Sequence, residues 1–246
     1  MDNLERQLSR EGSPRIRGVI FDHNGVFVPD VWEHCFFDEG NSLMKHFSLP
    51  KDKLKATGEL LVREFYQTPT DEKTSWQDIE RRYWNRFLEE FSGQIPSSVA
   101  VDELIEFSKF FIKGIHPESM RTLLQELKDE RIKLAICSNN TEFWFARQME
   151  AVDLSPYIPP ENFILSSRVG VRKSDKSGKL FHESLRVLGE PASQVVYVDD
   201  RASNFKNAEY VGITNTIVFE TDNPQAPTLL RNEFVQRGIL GEQTGI

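Results

Sequence analysis

Asp199 and Asp200 stand side by side directly after the apolar run Val195, Val196, Tyr197 and Val198. Adjacent carboxylates repel each other unless a cation lies between them, and a hard divalent ion with oxygen ligands suits such a pair. A third carboxylate, Asp22, closes another apolar run, Val19, Ile20 and Phe21. Gly25 follows three residues on, where the chain must turn sharply or admit a close neighbour. Ser138 closes a third run through Leu134, Ala135, Ile136 and Cys137, and Lys173 lies in the polar loop 166–177. Taken singly, each is as well read as a solvated strand end, a turn cap or a surface cation. Together they form a set suited to joining two anions: a carboxylate that can attack, a cation to bridge it to its target, an ammonium, and a hydroxyl that donates to oxygen.

Such a set needs elements that bring it to one edge. Short continuous apolar runs closed by polar residues fit strands of a parallel sheet covered on both faces. Runs near residues 18–21, 132–137, 163–165, 195–198 and 216–218 alternate with helical periods near 117–127, 141–149, 179–188 and 202–211. Alternation of that kind means right-handed βαβ units, and carboxyl ends of parallel strands are where open α/β sheets bind ligands. Residues 30–112 interrupt the rhythm with helical stripes alone: Leu54, Leu60, Leu61 and Phe65, then Trp76, Ile79, Tyr83, Trp84, Phe87 and Leu88, then Val101, Leu104, Ile105, Phe107 and Phe111. These aromatic stripes read as packing rather than a ligand cage. A connection this long is read as an inserted domain, 30–112, within a core formed by 1–29 and 113–246. Residues 1–15 are polar and read as a frayed entry.

With 246 residues, 39% of them hydrophobic and 18 Phe and 4 Trp among them, the chain can build a substantial core. A net charge of −8 argues against nucleic acid as a partner and requires any phosphate site to carry its own local positive charge. Cys35 and Cys137 are too few for a disulfide framework and sit among apolar residues, so a reduced, cytoplasmic setting is expected. No run reaches the length of a membrane span, so no membrane association is expected. His46, His116 and His182 form no ligand pattern. Nothing in the sequence bears on oligomeric state.

The four polar clusters, in this order, resemble the motifs of the haloacid dehalogenase-like hydrolase superfamily, in the subclass with a helical cap inserted after the first motif. Its first motif, a strand followed by Asp-x-Asp-Gly, is matched by Asp22, His23, Asn24 and Gly25 except at the second Asp. The second is matched by Ser138 and Asn139, and the third by Gly170, Val171, Arg172 and Lys173 without the usual Pro. The fourth is matched by Asp199 and Asp200, with Asn204 and Ala208 following. The resemblance covers about residues 17–220 and implies a Rossmann-like parallel α/β core with an inserted α-helical cap domain. It implies Asp22 as nucleophile and Ser138 and Lys173 as holders of the transferred group. Mg²⁺ would be bound by Asp22, the backbone carbonyl of Asn24, Asp199 and Asp200. Gly25, Asn139 and Arg172 become substrate-binding candidates, and Trp32 and His34 candidates for the pocket wall. The implied partner is a small phosphorylated substrate.

Position 24 departs from the pattern. The family's phosphatases use the second Asp as general acid and base, and an amide has no transferable proton near neutral pH. Losing such a group costs about 10²–10⁴-fold in rate. Substitution by His23 or His34 is disfavoured, since neighbouring side chains point to opposite sides of an extended chain. Three readings follow, in order: a Mg²⁺-dependent phosphatase of small metabolites, slowed by Asn24; a phosphate-binding or regulatory protein without turnover; and a dehalogenase, whose branch also lacks the second Asp but does not carry the acidic pair.

Overall fold

The computed structural model describes residues 15–66 and 74–242; the polar entry and the far end of the chain's tail lie outside them. Five strands, β1 (Gly18–Phe21), β2 (Lys133–Ser138), β3 (Phe163–Leu165), β4 (Val195–Asp199) and β5 (Asn215–Val218), pair in parallel in the order β3-β2-β1-β4-β5. The chain builds outward from β1 to β3 on one side, then crosses to β4 and β5 on the other. The reversal falls between β1 and β4, a topological switch point where a crevice opens at the carboxyl ends of the strands. Asp22 and Asp199 stand at that crevice.

The sheet forms because its central strands are apolar on both faces. Val19, Phe21, Leu134, Ile136, Val196 and Val198 enter one core cluster; Ile20, Ala135, Cys137, Val195 and Tyr197 enter another. Between β1 and β2 the chain forms helices α1 (Val31–Phe37), α2 (Leu43–His46), α3 (Lys51–Leu61, prolonged by a π-helical turn at Val62–Tyr66), α4 (Trp76–Glu90), α5 (Val101–Lys109) and α6 (Pro117–Asp129). Then follow α7 (Glu142–Ala151), α8 (Ser166–Val169), α9 (Lys179–Leu188), α10 (Phe205–Tyr210) and α11 (Ala226–Gln236). Leu123, Leu124 and Leu127 of α6 with Leu230 and Phe234 of α11 cover the first sheet face, and Leu180, Phe181 and Leu188 of α9 cover the second.

Helices α1 to α5 share a third, aromatic core. Trp84 stacks on Phe36 at 5.8 Å and meets Trp144 edge-on at 5.9 Å. Phe143 and Trp144 come from α7, so the helical stretch and the sheet layer are joined through one helix, whose start is capped by Thr141 accepting from the Trp144 amide. The expected aromatic stripes are indeed packing.

Some elements differ from the sequence reading. Helix α11 was not anticipated; Pro227 opens it and only a narrow stripe of Leu230 and Phe234 marks it. The polar loop 166–177 begins with the short helix α8, and the helix expected over 202–211 starts as a 3₁₀ turn before α10. No helix among the described residues is long and apolar enough to cross a membrane.

Candidate active site

The Lys173 ammonium is buried, 2.6 Å from Asp22 Oδ2 and 2.8 Å from Asp199 Oδ2. Three separate elements hold this arrangement. Asp22 extends β1 by donating its amide to the Val198 carbonyl (2.8 Å), so the ends of β1 and β4 are locked in step. The Lys173 amide donates to Asn139 Oδ1 (2.8 Å), which ties the loop after α8 to the end of β2. Asp199 accepts from Tyr197 Oη, from Asn204 Nδ2 and from the Arg201 amide as well as from Lys173. Buried charges are tolerated only when paired and hydrogen-bonded in this way.

Asp200, unlike Asp199, is only partly buried and lines the cavity at the crevice. Its carboxylate lies against Gly25, where φ is +82° and an added Cβ would come within 2.3 Å of Asp200 Cγ. The glycine is therefore required twice, for its conformation and for the close approach. Oxygens of Asp22, Asp199 and Asp200 all lie within 4.8 Å of one another. Lys173 serves two of these carboxylates, and Arg201 Nε stands 3.6 Å from the third.

The acids show the resulting deficit of positive charge. Burial, reinforced by Asp199 and Asp200 and opposed by Lys173, pushes the Asp22 carboxyl up to about 7. Burial and Asp199 push Asp200 up to about 6 against the pull of Arg201. Burial also works against Asp199, but Lys173 and its hydrogen bonds outweigh it and hold that carboxyl below its ordinary value. Two acids that resist ionisation beside a third that is ionised are a donor set a divalent cation would complete, and all-oxygen ligands suit Mg²⁺. Among the described residues, no hydrogen bond engages the Asn24 backbone carbonyl, which leaves it open as a further ligand. Asp199 has both oxygens engaged already.

Asn24 is held by neighbours. Its Oδ1 accepts from Gln148 Nε2 (2.9 Å), whose own Oε1 accepts from Asn140 Nδ2 (2.7 Å). Its Nδ2 reaches the Asn139 carbonyl at 3.5 Å. His23 is buried, its ring near those of Phe27 and Phe145, with neither ring nitrogen hydrogen-bonded among the described residues. Burial pushes it down to about 4, so it is neutral and enclosed at physiological pH and does not stand in for the missing acid. Ser138 Oγ is buried at the end of β2 with no hydrogen-bond partner among the described residues, an orphaned donor beside the cluster.

A cavity of about 200 Å³ opens at the crevice. Asp22, Asn24, Asn139, Arg172 and Asp200 line it, together with Trp32. Ser138, Lys173 and Asp199 are buried and outside its lining. Gly25 is outside it too: its amide donates to the Val28 carbonyl and its surface is covered by Asp200, so it shapes the site instead of touching a ligand. His34 lies in the wall of a wider groove of about 1140 Å³, which shares Trp32, Glu33, Arg172 and Arg201 with the cavity. The sequence reading missed Tyr197, Gln148, Tyr66 and Arg201. A tyrosine in an otherwise valine strand signals a buried hydroxyl needing a partner, and an arginine directly after paired acids signals a bridge. Arg201 indeed reaches Asp30 and Glu33 of the helical stretch, at 2.8 Å each.

A parallel switch-point crevice carrying an acid triad and a buried lysine defines a class of α/β hydrolases, and comparison with known proteins places the chain within it. The chain belongs to the haloacid dehalogenase-like hydrolases, whose family profile matches residues 16–212. Its fold is similar to that of the HAD-family enzyme BT-2542 of Bacteroides thetaiotaomicron. The magnesium complex of that enzyme has a TM-score of 0.64 at 16% identity, covering 89% of this chain and 100% of that one. Its complex with magnesium and inorganic phosphate has a TM-score of 0.62 at 16% identity, covering 85% and 96%. The L-2-haloacid dehalogenase PA0810 is also similar, with a TM-score of 0.53 at 16% identity, covering 84% and 85%.

Proposed function

We propose that this chain is a Mg²⁺-dependent phosphatase of a small phosphorylated metabolite, working through a phosphoryl group carried on Asp22 and slowed by Asn24. The observation that carries the reading is the imbalance of charge at the crevice, where three clustered carboxylates share one buried ammonium. Asp22, Asp200 and the Asn24 carbonyl would hold the ion, with Asp199 fixing Lys173 and the loop rather than ligating. The bound cation supplies the counter-charge that lets a carboxylate meet a phosphate. An Asp22 oxygen attacks phosphorus, the ester P–O bond breaks and the alcohol leaves; water then attacks phosphorus of the acyl phosphate, the bond to the Asp22 oxygen breaks, and inorganic phosphate leaves with Asp22 restored. Lys173 holds Asp22 in place and offsets its charge, while Ser138 Oγ has a free proton to donate to a phosphate oxygen. Asn24 can orient the leaving oxygen but not protonate it, so the alcohol must take its proton from solvent.

Helices α1 to α5 act in this reading as a cap over the crevice, with Trp32 and Tyr66 in the cavity wall. Two buried unpaired thiols, Cys35 and Cys137, support a reducing, cytoplasmic setting. The dehalogenase reading draws support from the likeness to PA0810 and from the lack of an acid at position 24. It is disfavoured because, without a metal, three clustered acids that share one buried ammonium would repel a haloacid. Hydrolysis of p-nitrophenyl phosphate that depends on Mg²⁺ and is abolished by Asp22→Ala supports the phosphatase; halide release from 2-haloacids without metal would replace it by the dehalogenase. Binding of inorganic phosphate with no turnover of either substrate would support a binding protein instead.

A further inference from the structure

Two cations line the 200 Å³ cavity, Arg172 and Arg201. Arg201 is spoken for by Asp30, Glu33 and Asp200. The Arg172 guanidinium has no carboxylate partner and no hydrogen bond among the described residues, and its Nε is buried without an acceptor. An unpaired guanidinium with a buried N–H is an unusual state for arginine, whose planar fork is suited to carboxylate and phosphate oxygens. Its placement is fixed: Lys173, the next residue, is anchored to Asn139 and Asp22, and the Arg172 carbonyl accepts from the Asp175 amide at 3.0 Å. Arg172 also lines the wide groove, so it stands at the boundary between the crevice and its outlet. Trp32 also forms part of both walls, its indole packed where a Cβ on Gly58 would come within 2.1 Å.

The phosphoryl group already has Ser138, Lys173 and the acid cluster's cation site to hold it in the reading above. An additional unpaired guanidinium beyond these implies additional negative charge on the ligand. A cavity of about 200 Å³ has the volume of about six or seven waters, room for a phosphoryl group and a short chain. We infer that Arg172 receives a second anionic group, a carboxylate or a second phosphoryl, at the far end of a short substrate. The preferred substrates are then phosphorylated small acids or short bisphosphorylated compounds, in preference to neutral sugar or alkyl phosphates. This inference rests on the phosphatase reading of the same crevice.

Equilibrium binding tests it without requiring turnover. Calorimetry with saturating Mg²⁺ compares ethylphosphonate with phosphonoacetate, which adds a carboxylate, and with ethane bisphosphonate, which adds a phosphoryl. Wild type should bind at least one of the doubly anionic ligands about ten- to hundredfold more tightly than ethylphosphonate. The one preferred identifies the second group. Arg172→Gln should bring that ratio close to one, and Arg172→Lys should restore part of it. Equal affinities in wild type, or a preference that survives Arg172→Gln, would overturn the inference while leaving the phosphatase reading intact. So would an equal loss of all ligands in Arg172→Gln, which would place Arg172 on the transferred phosphoryl itself. If no phosphonate binds with Mg²⁺ present, the phosphatase reading and this inference fall together.

Discussion

At the scale of single residues, position 24 shows how a small chemical change is embedded. Gln148 donates to Asn24 Oδ1 and would donate equally to a carboxylate there, while the Nδ2 contact to the Asn139 carbonyl is long at 3.5 Å. Asn24→Asp should therefore fold normally and raise kcat toward esters with poor leaving groups by about 10²-fold or more, with a smaller gain for p-nitrophenyl phosphate. Steady-state kinetics on both substrates check this; an unchanged kcat would show that position 24 does not limit the rate. The raised carboxyls make a second prediction. Asp22, at about 7, and Asp200, at about 6, keep their protons in the folded chain at pH values where the unfolded chain has lost them. They therefore contribute a loss of stability as pH rises from about 4 to 7 in the absence of metal. His23 acts in the opposite sense, since a folded pKa of about 4 costs stability as pH falls below its unfolded value. The difference between thermal scans with Mg²⁺ and with chelator isolates the acids. Magnesium should raise Tm little near pH 4 and progressively more toward pH 7.5. The apolar runs closed by Asp22, Ser138 and Asp199 were readable because strand ends of a parallel sheet converge. The partners that steady them, Tyr197 and Gln148, were not, since a hydrogen bond across the fold leaves no mark in local spacing.

At the scale of elements, the strands were legible as short apolar runs and most helices as stripes, because burial on one or both faces dictates those patterns. Helix α11 was missed for a physical reason: it buries few residues, and Pro227 at its start reads equally as a loop signal. Yet its Phe234 is fully buried and meets Phe21 of β1 edge-on at 6.5 Å. Phe234→Ala should cost about 3–5 kcal/mol in urea unfolding, the range for truncating a buried aromatic. The affinity of the folded protein for Mg²⁺ should be unchanged, since Phe234 does not touch the acid cluster. A cost below about 1 kcal/mol would show that α11 is dispensable to the sheet.

At the scale of the whole molecule, the fold places its costliest feature at its topological switch point. Two apolar clusters clamp the sheet from either face, and a third organises the helices set between β1 and β2. Those layers fix the carboxyl ends of β1 and β4 side by side and hold three acids in a space that one lysine cannot neutralise. In a chain of net charge −8, the proposed anionic ligand would need positive charge gathered locally, from Lys173, Arg172 and the proposed metal. The parallel sense of the strands followed from the αβ alternation; their order did not, since alternation leaves open on which side each new strand is added. The helical stretch was legible as a break in that alternation, whereas its seam with α7 through Phe143 and Trp144 depends on packing that periodicity does not encode. The most direct test of the account is titration of metal-free protein with Mg²⁺ by calorimetry at pH 7.5, for wild type and for Asp200→Ala. The account predicts one Mg²⁺ per chain in wild type and at least a tenfold loss of affinity in the variant. No uptake by wild type, or undiminished uptake by Asp200→Ala, would contradict it.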